Sequence, residues 1–237
     1  MFFSLRFRLQ MNFFLFLLML PLMAFSQANE GLGVKWEEVR GANAVKVFAA
    51  EIAGSDVVAF RGESVIEAPL IKLVAAFYNM ERKREWMHDL KEIKILRYSN
   101  RNERVEYYLS KTPWPLDDRD FVYRAKFFLS PDKKTFDLLI ENAQDPAAPE
   151  RESVVRGTLQ HSYYQMVASP DGKSTKIVVE ILADPKGFVP KWLVNIFQRS
   201  WPVNTISGLR SLVTDSTFKI DPIVKEYFEF NAKNRKE

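Results

Sequence analysis

The chain has 237 residues, no cysteine, two histidines and a formal charge of +4. Without cysteine there is no disulfide, thiol nucleophile or cysteine-based metal site, and two histidines are too few for a histidine-rich one. The charge is too near neutral to argue for nucleic acid, and the length allows one domain with a sizeable core.

Residues 1–28 predict an export signal. Arg6 and Arg8 form a basic n-region, residues 13–25 are apolar apart from Pro21, and Ala24-Phe25-Ser26 or Ser26-Gln27-Ala28 offers a small-residue cleavage site. The run is short for a membrane span, so a cleaved signal and a periplasmic address are expected, with an uncleaved anchor as the alternative. A domain is then expected over 29–214, with a C-terminal extension over 215–237.

Alternation over 45–48 and 57–62, split by Ala53-Gly54-Ser55-Asp56, predicts a hairpin whose second strand continues through Glu67. Ala68-Pro69 opens a helix with Leu70, Leu73, Val74 and Phe77 on one face. The charge cluster at 81–85 reads as a solvated loop or helix end, and Trp86 follows as an apolar anchor. Strands are expected over 91–97 and 103–110, then a Pro-containing connector over 112–120. A hairpin over 121–129 and 135–142 comes next. Residues 145–150, rich in Pro and Ala, read as a mobile loop. The last strands lie at 154–167 and 176–183.

Asp184-Pro185-Lys186-Gly187 is a turn, and Pro190 suits the start of a long helix. Val189, Leu193, Ile196 and Phe197 share one side of it, with Ser200 and Trp201 continuing that side. Lys191, Asn195 and Gln198 fall opposite. Pro202 should kink the helix before the stripe resumes at Ile206, Leu209 and Val213. A short helix after Asp221-Pro222 and a frayed tail close the chain. Antiparallel strands flanked by helices make an α+β domain whose sheet can curl around the last helix, leaving a gap.

Four blocks of residues carry a resemblance. They are Phe60-Arg61-Gly62-Glu63 with Ala68-Pro69, Glu85-Trp86 with the 91–96 strand, Pro113-Trp114-Pro115-Leu116 with Arg119-Asp120-Phe121-Val122, and residues 183–187 with 189–195. In this order and spacing they resemble the StAR-related lipid-transfer (START) domain, within the helix-grip, Bet v 1-like group. The resemblance implies a curved antiparallel sheet wrapped around the C-terminal helix, with an internal hydrophobic cavity. It also implies binding, and transfer, of a single lipid or sterol-like molecule by a monomer in transient contact with membranes.

Polar residues among apolar strand neighbours are the candidates for orienting such a ligand. Glu106 falls where the resemblance places an acidic residue facing the cavity, although alternation allows a solvent-facing position. Arg124 carries the same ambiguity, and Arg156 is a third charged candidate. Tyr108 and Tyr123 are further candidates. In the strand expected over 154–167, His161, Tyr163 and Gln165 share one face and Gln160, Ser162 and Tyr164 the other; the first set is favoured as inward. Ile196, Ser200 and Trp201 represent the helix side, and Gly187, Pro202 and Gly208 are expected soft points of a gate. Arg119 and Asp120 read as structural. Phe127 and Phe128, with Lys126, Lys133 and Lys134 nearby, suit either a membrane-touching lid or a half-buried strand end.

No metal site and no cofactor is expected, and P-loop, GxGxxG and GxSxG patterns are absent. The alternative function is an enzyme of the same fold, a cyclase, aromatase or hydrolase acting on a hydrophobic small molecule. There Glu106 with Tyr108 or His161 would do acid–base work.

Overall fold

The structure, a computed structural model, describes residues 31–233, so the proposed signal lies outside the described residues. Ten strands form one sheet: β1 (Glu37–Ala42), β2 (Val45–Ala50), β3 (Ala59–Ile66), β4 (Leu90–Asn100), β5 (Glu103–Ser110), β6 (Asp118–Leu129), β7 (Thr135–Asn142), β8 (Val154–Arg156), β9 (Thr158–Ala168) and β10 (Thr175–Asp184). Helix α1 (Leu70–Tyr78) follows β3, α2 (Lys191–Thr214) follows β10, and α3 (Pro222–Lys233) closes the described chain.

The strand order is β1-β2-β3-β10-β9-β7-β6-β5-β4. The pairs along that path are antiparallel, and β8 adds a short parallel pair to β6. This is the expected α+β helix-grip architecture, with two departures. Strand β1 was not anticipated, because 37–42 lacks clear alternation. The strand expected over 154–167 breaks at Gly157, where a Cβ would fall 2.4 Å from the Phe121 ring.

The core lies on the inner face of the sheet. Phe127, Phe136, Met166, Ile177 and Val179 meet Leu73 and Val74 of α1 and Ile206, Leu209 and Val213 of α2. Burying this apolar surface, at roughly 25 cal/mol per Å², is the main favourable contribution to the fold. Phe127 is therefore core rather than part of a membrane-touching lid. Loop 143–150 is also fixed in place. Ala148 packs on Val105, Tyr107 and Val122 on the outer face, and Arg97 Nε donates to Asp145 Oδ2 at 2.8 Å. Helix α3 buries Val224, Tyr227 and Phe228 against the α1 side of the core, so the C-terminal extension is an integral element.

Helix α2 runs unbroken through Pro202. Its C-terminal half sits deep because two glycines admit it. A Cβ on Gly62 would fall 2.5 Å from Pro202 Cβ, and one on Gly208 would fall 2.6 Å from the Trp86 carbonyl oxygen. Gly208 is thus a close-packing point, which corrects its expected role as a soft point.

Candidate functional site

Between the concave sheet and the N-terminal half of α2 lies a cavity of about 460 Å³, within the range of small-molecule sites. Alternation decides most of what the strands contribute, with a register shift in β9 between Leu159 and His161. The wall takes Tyr108 and Ser110 from β5, Phe121 and Tyr123 from β6, Ile140 from β7, Leu159, Ser162 and Tyr164 from β9, and Ile181 from β10. Helix α2 roofs it with Val194, Phe197, Gln198, Trp201 and Thr205. The Tyr164 and Trp201 rings meet edge to face at 5.9 Å across the space. Residues 87–89, 111–113 and Leu116 border it on the loop side. His88 and Asp89 are exposed there, with Nδ1 2.9 Å from Oδ1.

Behind this wall lies a buried charge cluster. Arg104, Glu106 and Tyr108 share the inward face of β5, and the first two join Lys83 from the short 3-10 turn Lys83–Glu85. Arg104 Nε donates to Glu106 Oε1 at 2.5 Å and its Nη2 to the Phe77 carbonyl at 3.1 Å. The Tyr123 hydroxyl donates to Glu106 Oε2 at 2.7 Å, and Lys83 Nζ stands 3.6 Å from that oxygen. The rings of Phe127 and Tyr78 flank the Arg104 guanidinium at 4.8 and 5.5 Å.

Burial alone would raise the Glu106 carboxyl, but Lys83, Arg104 and the Tyr123 hydroxyl outweigh it and hold the group below its ordinary range. Burial pushes Lys83 down to about 8, against the opposing pull of Glu106. It also pushes Tyr108 up to about 12 and raises Tyr123, whose proton the Glu106 carboxylate holds in addition.

The roof is held by two side-chain amides. The β3–β10 ladder ends at the Ile181–Phe60 pair, so β3 and β10 no longer pair with each other beyond it. Gln198 fills part of that gap: its Nε2 donates to the Ala183 carbonyl at 2.8 Å, and its Oε1 accepts from the Ala183 N–H at 3.2 Å. Asn195 Oδ1 accepts from the Val58 N–H at 3.3 Å. This corrects part of the expected orientation of the first turns of α2: Val189, Phe197, Ser200 and Trp201 border the cavity as that side should, but Asn195 and Gln198, expected opposite, reach the sheet as well. The amides face the sheet because they satisfy backbone groups there. Ile196 turns outward, 55 % exposed, while Phe197 borders the cavity at the edge of the roof and is 41 % exposed.

Of the expected ligand-binding residues, Tyr108, Tyr123, Ser200 and Trp201 border the cavity. Glu106 faces inward but lies behind Tyr123, and Ile196 is outside. Arg124 points to the outer face, where its Nε is 3.3 Å from Glu103 Oε1. Arg156 pairs with Asp120 at 2.7 and 3.1 Å on the far side of β6. His161, Tyr163 and Gln165 also face out, correcting the favoured choice. His161 Nε2 lies 3.1 Å from Glu180 Oε2, while the Tyr163 hydroxyl and Gln165 amide donate to Asp137. Ser162 and Tyr164 face in. Met166, fully buried with the same parity, is the apolar signal that could have decided the face.

Lys83, Arg104 and Gln198 were not anticipated. Lys83 was hidden in a charge run, Gln198 on an apparent polar stripe, and Arg104 differed from solvent-facing residues only by sharing Glu106's parity. Arg119, expected to be structural, also borders the cavity. It donates to the Asp117 carbonyl and, at 3.5 Å, to those of Pro185 and Lys186, joining the connector to the turn before α2.

The START domain family matches residues 22–217 of the chain. A protein of Pseudomonas aeruginosa is 27% identical over 190 residues, 79% of this chain and 91% of that one. The phosphatidylcholine transfer protein of Rattus norvegicus is 25% identical over 166 residues, 69% of this chain and 76% of that one. The crystal structure of a STAR-related lipid transfer protein fragment from Xanthomonas axonopodis superposes with a TM-score of 0.65 at 27% identity, covering 76% of this chain and 99% of that one. Human StAR-related lipid transfer protein 5 gives 0.70 at 18% identity, over 78% and 88% of the two chains, a likeness of fold. With a family match over that span and a sheet gripping its C-terminal helix around a hollow, the chain belongs to the START domain family.

Proposed function

We propose that this protein binds a single lipid or sterol-like molecule in the cavity and carries it between membranes without chemical change. The observation that carries the reading is the cavity itself, walled mainly by Tyr, Phe, Ile, Leu and Val side chains and roofed by α2. An acyl chain placed there gains roughly 0.8 kcal/mol per CH₂ removed from water, so affinity needs no catalytic group. Relatives named as lipid transfer proteins support the same reading.

The cavity's loop side bears a surface suited to a bilayer. Phe188 is fully exposed, Trp192 is 65 % exposed and Trp114 92 %. The first two flank the start of α2, and Trp114 lies in the connector whose Pro113 and Leu116 border the cavity. Exposed aromatic side chains of this kind partition into the membrane interface. The gate is the N-terminal half of α2 with the turn at Gly187, which has a φ of 69°. It swings at Pro202, where the helix lacks a backbone donor, while the half beyond stays anchored. The signal at residues 1–28 would deliver the carrier across the inner membrane.

Two measurements test this. Mass spectrometry of a solvent extract of the purified protein should find a stoichiometric lipid. Transfer of a fluorescent lipid between vesicles should fall severalfold when Trp114, Phe188 and Trp192 are replaced by serine. An empty protein that turns over a hydrophobic ester or ring substrate would replace the carrier by an enzyme.

A further inference from the structure

The buried cluster behind the cavity holds two cations and one anion. Lys83, Arg104 and Glu106 are each at most 4 % exposed. Arg104 is well compensated, since it holds Glu106 and also donates to the Phe77 carbonyl at the negative end of α1. Lys83 is not. Its carboxylate neighbour, Glu106 at 3.6 Å, is already engaged by Arg104 and Tyr123. A buried ammonium without a counter-charge of its own is costly.

A second deficit stands beside the first. Trp86 is 3 % exposed and borders the cavity, and its indole N–H has no acceptor among the described residues. Lys83 Nζ lies 6.0 Å from the centre of the same ring. A buried donor left unpaired carries a desolvation cost of its own. Both deficits call for an oxygen with negative charge; Trp86 borders a space large enough to admit one, and Lys83 lies just behind the same ring.

We propose that the ligand is an amphiphile with an anionic oxygen head, a carboxylate or a phosphate bearing no compensating cation. Its head sits against Trp86 in the field of Lys83 and Arg104, and its tail runs under α2. This deepens the carrier reading and rests on it. The lowered affinity of Lys83 for its proton fits the same picture: burial and the neighbouring Arg104 disfavour the ammonium more than Glu106 favours it. Glu106 and Arg104 are the titratable groups that act on it, and Tyr123 bonds to Glu106.

The test compares heads on one tail. Tetradecanoate should bind the full protein at least about tenfold more tightly than tetradecanol at pH 7, a difference of about 1.4 kcal/mol. The ratio should fall above pH 8, where Lys83 loses its proton, and approach one in Lys83→Met. Trp86→Phe, which keeps a ring but not the N–H, should lower it severalfold. In vesicles, extraction of phosphatidate should exceed that of phosphatidylcholine. A preference for tetradecanoate over phosphatidate assigns the head to a free fatty acid, and the reverse to a lipid phosphate; either supports the proposal. Equal binding of acid and alcohol, or of phosphatidate and phosphatidylcholine, overturns it while leaving the carrier reading intact. Failure of all four probes to bind overturns both.

Discussion

Lys83 is the residue whose environment most changes its chemistry. Its position in a run of charged residues suggests solvent, yet it is buried beside Arg104 and Glu106. Because its folded-state value is pushed below 10.5, to about 8, the unfolded chain binds more protons between those limits. Stability attributable to Lys83 therefore rises with pH across that window, as the cost of burying an ammonium is relieved. Thermal unfolding of wild type and Lys83→Met, followed from pH 7 to 10.5, should show wild type gaining on the variant as pH rises. A difference that stays flat would show that Lys83 is solvated. Comparing the two chains removes the common contribution of the buried tyrosines. Glu106 itself was legible as a candidate; its partners were not, since burial of a charge depends on what the fold lays over it.

At the scale of the element, α2 is two structures in one helix. Beyond Pro202 it is packed core, with Ile206, Leu209 and Val213 at no measurable exposure. Before Pro202 it is a roof held by Asn195, Gln198 and Val194. Replacing Gln198 by leucine strands the Ala183 N–H and carbonyl and should cost about 1–3 kcal/mol. It should also speed release of bound lipid, measured by stopped-flow exchange. Gly208→Ala acts on the other half. Its new methyl would press on the Trp86 backbone, which cannot rotate aside, so a loss of about 1–3 kcal/mol is expected. If Gln198→Leu destabilises the protein but leaves exchange unchanged, the roof does not open where the amides hold it.

At the scale of the molecule, the N-terminal segment ties the outer face of the sheet to the roof. The Leu32 N–H donates to the buried Glu180 carboxylate at 2.8 Å, and Arg61 lies 5.9 Å from the centre of the Trp36 ring. Leu32 and Trp36 share an apolar cluster with Val57, Ala59, Leu182 and two residues that border the cavity, Val189 and Val194. The strap thus packs against the start of α2 from outside, where it would brace the proposed gate. Trp36→Ala should cost about 2 kcal/mol, below the range for a fully buried tryptophan because Trp36 is half-buried, and should raise the exchange rate as well. An unchanged rate would separate the strap from the gate.

The amino-acid sequence by itself determined most of the strands, the long terminal helix and the family. Strand and helix periodicities and turn residues are local properties, and four motif blocks in order span most of the chain. It determined that a hollow was to be expected, but not which side chains face it. Only the tertiary structure decided the inward face of β9 and the orientation of the first turns of α2. It also decided the burial of Lys83 and Arg104 and the outward turn of Arg124 and Arg156. The physical reason is the same each time. Alternation says that two faces differ, but which one is inner depends on neighbouring strands. Burial of a polar side chain depends on distant backbone or charge, as Ala183 supplies for Gln198 and Glu106 for Arg104.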